Sequence, residues 1–140
     1  MNEMNQSEKP IKKIIYQFHD SPVPPQYHRS YVITVTRIKV KIVIDSYGDI
    51  LADREYEIIE KKFENIVESL RKNGIKNMEL GDNEECIGGT SENISYSNEE
   101  KEIFSGTVYH CGGIDFGNLG GDIKNFAYDV KKLIPKWPNI

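Results

Sequence analysis

The sequence predicts an α+β domain in which an antiparallel sheet of about six or seven strands carries two helices on one face. Runs rich in β-branched residues alternate apolar and polar side chains with period two, as half-buried strands do. Short turns join successive runs, which favours antiparallel pairing. Two other segments, residues 59–72 and 122–134, repeat apolar side chains with the helical period instead.

The composition is that of one ordinary domain. The chain has 140 residues, of which 38% are hydrophobic and 29% are charged. A chain of this length can bury a stable core without disulfides or metal ions. Residues 1–10 are polar and predict a flexible N-terminal tail, so a single domain is expected over residues 11–140. The sequence shows no membrane span and no signal peptide. It therefore predicts a soluble cytoplasmic protein, or an extracytoplasmic one if a signal peptide has been removed.

The first strand is predicted at residues 11–18 by alternating apolar side chains. The next segment, residues 19–30, contains three prolines, which oppose both helix and central strand. It is predicted to be an extended loop that crosses between strands. Tyr27, His28 and Arg29 stand beside the prolines, and because binding residues are common on loops, these three could instead line a binding surface.

Residues 31–45 are dense in β-branched side chains but change phase. Apolar residues occupy odd positions before Thr36 and even positions after Arg37. A single flat strand would place these two sets on opposite faces. The segment is therefore either a bulged strand or a hairpin that turns near Thr36-Arg37, and the hairpin is favoured. Residues 46–49 predict a turn, and residues 50–58 the next strand.

Residues 59–72 predict an amphipathic helix. Apolar side chains recur at positions i, i+3, i+4 and i+7 from Phe63 to Leu70, with charged residues between them. Gly74 follows the helix and can adopt the left-handed conformation that ends it. Residues 75–80 predict a short strand.

A second hairpin is predicted to carry both cysteines. A tight turn between Asn98 and Glu99 would place Cys86 opposite Cys111. Directly opposed residues lie within the Cα distance of a disulfide, so Cys86 and Cys111 form a possible disulfide, although two buried thiols are favoured. His110 points to the opposite face from Cys111 and no CxxC spacing is present, so no metal site is expected.

Residues 112–121 are rich in glycine and are predicted to be a loop with too few large side chains to build core. A glycine-rich loop before a helix can hold phosphate, but the spacing matches no nucleotide-binding motif. Asp115 and Asn118 lie on this loop and are candidate binding residues, without the spacing of a calcium loop. Asp122 suits the N-cap of the last helix, residues 122–134.

No motif identifies a function. The leading hypothesis is a non-catalytic binding or interaction module for an unknown protein or small ligand, with no cofactor. The net charge of −4 makes nucleic acid an unexpected partner. One alternative is a small hydrolase or thiol-dependent enzyme that uses Cys111 with a histidine such as His19 or His28, although the catalytic residues are unknown. Another is an extracytoplasmic domain held by a Cys86–Cys111 disulfide.

Overall fold

The computed structural model describes residues 9–81 and 88–140. This part of the chain forms a seven-stranded antiparallel sheet, a two-stranded sheet and two α-helices. The predicted α+β class is therefore confirmed. In chain order the elements are β1 (Lys13–His19), β2 (Ser30–Thr36), β3 (Lys39–Ser46), β4 (Asp49–Glu57), α1 (Glu60–Lys72), β5 (Lys76–Asn77), β6 (Thr90–Ser97), β7 (Glu102–Cys111), β8 (Ile114–Gly117), β9 (Leu119–Gly120) and α2 (Ile123–Lys131).

The large sheet has the strand order β4-β3-β2-β1-β6-β7-β8. Strands β1 to β4 form one antiparallel run, and β6 to β8 form a second. The two runs meet at the centre, where β1 pairs with β6 from Lys13 opposite Ser97 to His19 opposite Ser91. Helix α1 and strand β5 carry the chain from the β4 edge back to this central position.

The phase change in residues 31–45 marks a hairpin, which confirms the favoured prediction. Strand β2 ends at Thr36 and β3 begins at Lys39, with Val35 opposite Val40 across the turn. The reversal brings the odd apolar residues of β2 and the even apolar residues of β3 to the same face, so Ile33 pairs directly with Ile42. Both of these side chains are fully buried.

Both helices pack on the same face of the sheet. Their apolar side chains and those of the sheet belong to one buried cluster. The helical contribution is Phe63, Ile66, Leu70, Phe126, Ala127 and Val130, and the sheet contribution includes Ile14, Tyr16, Ile33, Val35, Val40, Ile42, Ile94 and Val108. Apolar burial of this kind stabilises the domain by roughly 25 cal/mol per Å². The one-face arrangement that the sequence predicts is thus observed.

The turn of the second hairpin differs from the prediction. Asn98 N donates to Lys101 O at 3.0 Å, and Asn98 Oδ1 accepts from the backbone N–H groups of Glu100 and Lys101 at 2.7 and 2.8 Å. The loop is therefore longer than the predicted two-residue turn between Asn98 and Glu99. The side chain of Asn98 selects this geometry because its amide oxygen replaces a backbone acceptor.

The longer turn shifts the pairing of β6 and β7. Ile94 lies opposite Gly106, and Thr90 lies opposite His110; the predicted register, which placed Cys86 opposite Cys111, is wrong by three residues. A shift by an odd number also exchanges the faces of one strand. Cys86 itself lies outside the described residues, so its possible disulfide with Cys111 stays a prediction.

The prediction for the glycine-rich segment is also wrong in part. Residues 112–121 contain strands β8 and β9, and Leu119 is fully buried. Gly106 on β7 makes room for this side chain, since a Cβ at position 106 would lie 3.1 Å from Leu119 Cδ1. A segment with few large side chains therefore still contributes to the core, because a distant glycine lets one of them approach the sheet.

The helix ends follow local chemistry. Gly74 has φ of +64° just beyond α1, and the Asp122 side chain accepts a hydrogen bond from the backbone N–H of Asn125 at 3.1 Å, as the predicted N-cap requires. Helix α2 ends at Lys131, before the predicted residue 134, and Trp137 then packs edge-on against Tyr31. Among the described residues no helix has the length and apolar content needed to cross a bilayer.

Candidate functional site

The second face of the large sheet carries no helix in the described part of the chain. On β1, β6 and β7 the side chains of this open face are mainly amides and hydroxyls. They line a cavity of about 330 Å³, the open-face groove. Its lining residues are Gln17, His19, Ser91, Asn93, Ser95, Glu102, Ser105, Thr107 and Tyr109.

Strand register arranges these side chains in rows across the groove. In the central row Gln17 lies opposite Asn93, and Asn93 lies opposite Thr107. The flanking rows are His19, Ser91 and Tyr109 on one side and Ser95 with Ser105 on the other. Because alternate strand residues face opposite sides of a sheet, each polar row lies between rows whose side chains enter the core.

The central row is held in place by hydrogen bonds. Asn93 Nδ2 donates to the carbonyl oxygen of Gly106 at 2.8 Å and to Thr107 Oγ1 at 2.7 Å. Gln17 Nε2 lies 3.5 Å from Asn93 Oδ1, at the long limit for a hydrogen bond. The amide of Asn93 is therefore oriented before any ligand arrives, which lowers the entropy that binding would cost.

An aromatic pair borders the groove at the β8 side. Tyr109 and Phe116 lie opposite each other on β7 and β8, and their rings stack with centroids 5.1 Å apart and planes 16° apart. Tyr109 is 44% exposed. The pair therefore presents an apolar ring surface and a phenolic hydroxyl beside the amide and hydroxyl rows.

A network of ionisable side chains lies behind the groove, on the helix-covered face of the same strands. His110 Nε2 is 2.7 Å from Glu92 Oε1, and His110 Nδ1 is 2.8 Å from Asp115 Oδ1. Tyr16 donates its hydroxyl to Glu92. We call these four residues the histidine network. It joins β1, β6, β7 and β8 side by side.

The histidine network favours a protonated His110. Burial lowers the pKa of the imidazole, but hydrogen bonds and charge from Asp115 and Glu92 outweigh this, and the pKa of His110 lies above its ordinary value. Burial, with the adjacent Glu92 carboxylate, raises the pKa of Tyr16, so this phenol stays a neutral donor. A protonated imidazole whose two N–H groups both meet carboxylates has no lone pair to accept a proton. Held between Glu92 and Asp115, the imidazole links β6, β7 and β8.

The proline-rich loop exposes only part of its predicted site. Tyr27 is 68% exposed, but His28 is buried and stacks on Tyr47 with ring centroids 3.8 Å apart. Arg29 Nη1 donates to the carbonyl oxygens of His28 and Pro25 at 2.7 and 3.3 Å. In this loop Tyr27 alone among the three candidates presents most of its side chain to solvent, while the other two hold the loop's shape.

The two candidates of the glycine-rich segment make contacts within the fold. Asp115 belongs to the histidine network. Asn118 Oδ1 accepts a hydrogen bond from Thr107 N at 2.8 Å, and Asn118 N donates to Thr107 O at 2.9 Å. Both residues therefore anchor their segment to β7. Tyr27 lies in the loop between β1 and β2, and β6 separates these strands from β7 and β8.

The sequence did contain a signal for the open-face groove. Ser91, Asn93 and Ser95 alternate along β6, and Ser105 and Thr107 alternate along β7. The predicted register, with Cys86 opposite Cys111, placed Ser105 and Thr107 on the same face as Ile94. It therefore hid the surface that these hydroxyls share with Ser91, Asn93 and Ser95. The observed register separates Ile94 into the core and gathers the hydroxyls on the open face.

Comparisons of the chain with protein-family models, with curated proteins and with solved structures find no match. Among the described residues, no group of three or more His, Cys, Asp and Glu side chains has the arrangement of a metal site. The function therefore has to be argued from the side chains of the groove and their contacts.

Proposed function

We propose that this protein is a non-catalytic binding module whose binding surface is the open-face groove. One observation carries the proposal: both helices pack on one face of the large sheet, while the other face presents a groove of hydrogen-bonding side chains. Sheet faces covered on one side commonly leave the other to solvent. Here that solvent side has the concave shape of a ligand site and a size within the usual range of about 300–1,000 Å³.

A second cavity extends the groove towards the β6–β7 turn. This cavity is about 360 Å³ and shares Ser95 and Glu102 with the groove. It also includes Lys13 and Ile15 of β1. Glu99, Glu100 and Lys101 also line it, so the mainly uncharged open-face groove gives way to a charged cavity beside the turn.

A cleft between the helices is a weaker candidate. It measures about 480 Å³, but its polar side chains are engaged with each other, since Ser69 Oγ donates to Asp129 Oδ2 at 2.7 Å and Lys132 Nζ lies 3.7 Å from Asp129 Oδ1. A ligand there would have to replace bonds within the protein. In the open-face groove the Asn93 amide is also engaged, but its partners are a neutral carbonyl and a hydroxyl rather than a carboxylate, and bonds between neutral groups are weaker.

The proposal is tested by NMR titration with a chemically diverse fragment library. Binding fragments are expected to shift the backbone amides of β1, β6 and β7 around Asn93 and Thr107. Ser105→Arg places a long side chain in the groove and should weaken these fragments about tenfold or more. Thr34→Arg adds the same side chain to the same face, on β2 and outside the groove, and should leave them unchanged. Fragments that gather between the helices instead would overturn the proposal.

A further inference from the structure

We infer that the ligand of the open-face groove is a neutral carbohydrate chain. This inference rests on the proposed function and names the chemistry that the groove recognises. Seven of its nine lining residues are uncharged amides, hydroxyls or a phenol, and the titratable exceptions are His19 and Glu102. Recognition of a strongly charged ligand would require charge of the opposite sign, because charge-assisted hydrogen bonds dominate such sites.

The hydrogen-bonding groups match a polyol. An amide offers both donors and acceptors, and a hydroxyl offers one donor and two lone pairs. Sugar hydroxyls have the same dual character, so each can donate to one side chain and accept from another. The row through Asn93 presents such groups on three adjacent strands, about 4.8 Å apart, and the row through Ser95 adds the hydroxyls of Ser95 and Ser105. Because Asn93 Nδ2 already donates to Gly106 and Thr107, a sugar would meet mainly the amide of Gln17 and the hydroxyls.

The aromatic pair supplies the other half of sugar recognition. Pyranose rings have an apolar face of C–H groups that packs against an aromatic ring, while their hydroxyls point outward. Tyr109 is 44% exposed, packs one ring face against Phe116 and lies opposite Ser91 in the same row. A sugar ring on Tyr109 would therefore direct its hydroxyls into the amide and hydroxyl rows.

The charges elsewhere on the open face disfavour nucleic acid. Aromatic residues on a sheet can also stack bases, but such surfaces need cations for the phosphates. Lys39 Nζ lies 3.5 Å from Glu55, and Lys41 Nζ lies 3.8 Å from Asp53. These two lysines are thus matched by carboxylates of β4, and Lys13 of the same face shares its cavity with Glu99, Glu100 and Glu102.

The test uses the full chain on an array of neutral, sialylated and sulfated oligosaccharides, with a single-stranded oligonucleotide as comparator. The strongest neutral binder is then measured by isothermal titration calorimetry. Wild type is expected to bind neutral oligosaccharides. Tyr109→Ala should weaken that binding by about fivefold to tenfold through loss of ring stacking, whereas Tyr109→Phe should retain it.

The variants Ser105→Arg and Thr34→Arg distinguish failure of the carbohydrate inference from failure of the proposed binding module. Ser105→Arg should weaken the neutral oligosaccharide about tenfold or more, and Thr34→Arg should change it by less than about twofold. Circular dichroism melting confirms that each variant is folded. If only charged glycans or the oligonucleotide bind, or if no glycan binds while fragments still occupy the groove, the carbohydrate inference fails and the binding module stands. If fragments and glycans both map elsewhere, both fail.

Discussion

The two faces of the central strands show opposite uses of the same backbone. On the covered face, Ile94 and Val108 are buried beneath the helices. On the open face, their neighbours Asn93 and Thr107 hydrogen-bond to each other at the floor of a groove. One alternation of residues along β6 and β7 therefore builds stability on one side and a recognition surface on the other. Substitutions of adjacent residues on one strand should therefore have different effects, on stability at the covered face and on binding at the open face.

The largest difference is expected in stability between a covered and an open position. Ile94→Ala removes a fully buried side chain and should lower the free energy of unfolding by about 2–5 kcal/mol. Ser105→Ala, on the open face, should change it by less than about 0.5 kcal/mol. Urea denaturation followed by circular dichroism measures both. Equal losses for the two variants would show that the open face is packed against something in solution.

A smaller effect is expected where the two sheets meet. Gly106→Ala would place a methyl group 3.1 Å from Leu119 Cδ1 and 3.2 Å from Asn77 Nδ2. Because Leu119 must shift, the free energy of unfolding should fall by about 1–3 kcal/mol. Adding Leu119→Ala should recover part of the loss from Gly106→Ala, which a double-mutant cycle measures. Strictly additive losses would mean that these two residues do not crowd each other.

The smallest effect concerns the histidine network and its pH dependence. The pKa of His110 is raised in the folded protein, so its stabilising effect is complete below its ordinary pKa of about 6.5 and is lost as the pH rises through the raised value. The stability of wild type relative to His110→Gln should therefore decline as the pH rises above about 6.5 and through the raised pKa. Partial exposure limits the difference to about 1 kcal/mol or less.

Urea unfolding across this pH range tests the sign, and NMR titration of the His110 ring tests its cause. Glu92→Gln should bring the pKa of His110 down towards its ordinary value, because it replaces one carboxylate with a neutral amide. A His110 pKa that is unaffected by Glu92→Gln would contradict the assignment of the network. Neither change should alter binding in the open-face groove if the network only fixes the strands.

Much of the candidate site could be recognised in the sequence only once the register between β6 and β7 was known. The polar residues Ser91, Asn93 and Ser95 alternate visibly along one strand, but their partners depend on how the hairpin closes. That closure is set by two hydrogen bonds to the side chain of Asn98. A shift of three residues exchanges the faces of β7, because side chains alternate between the two faces of a strand. In the proline-rich loop, His28 was a candidate binding residue but is buried against Tyr47, a contact with a distant residue that the local sequence does not reveal.

The sequence by itself determined the elements whose causes are local. Alternating β-branched residues specify the strands, apolar spacing specifies both helices, and Asp122 and Gly74 mark two of their ends. These features follow from backbone preferences and side-chain periods within a few residues. The tertiary structure decided what depends on distant partners. Pairing of β1 with β6 and entry of Leu119 over Gly106 are contacts between residues far apart in the chain, so only folding could turn scattered hydroxyls and amides into one groove.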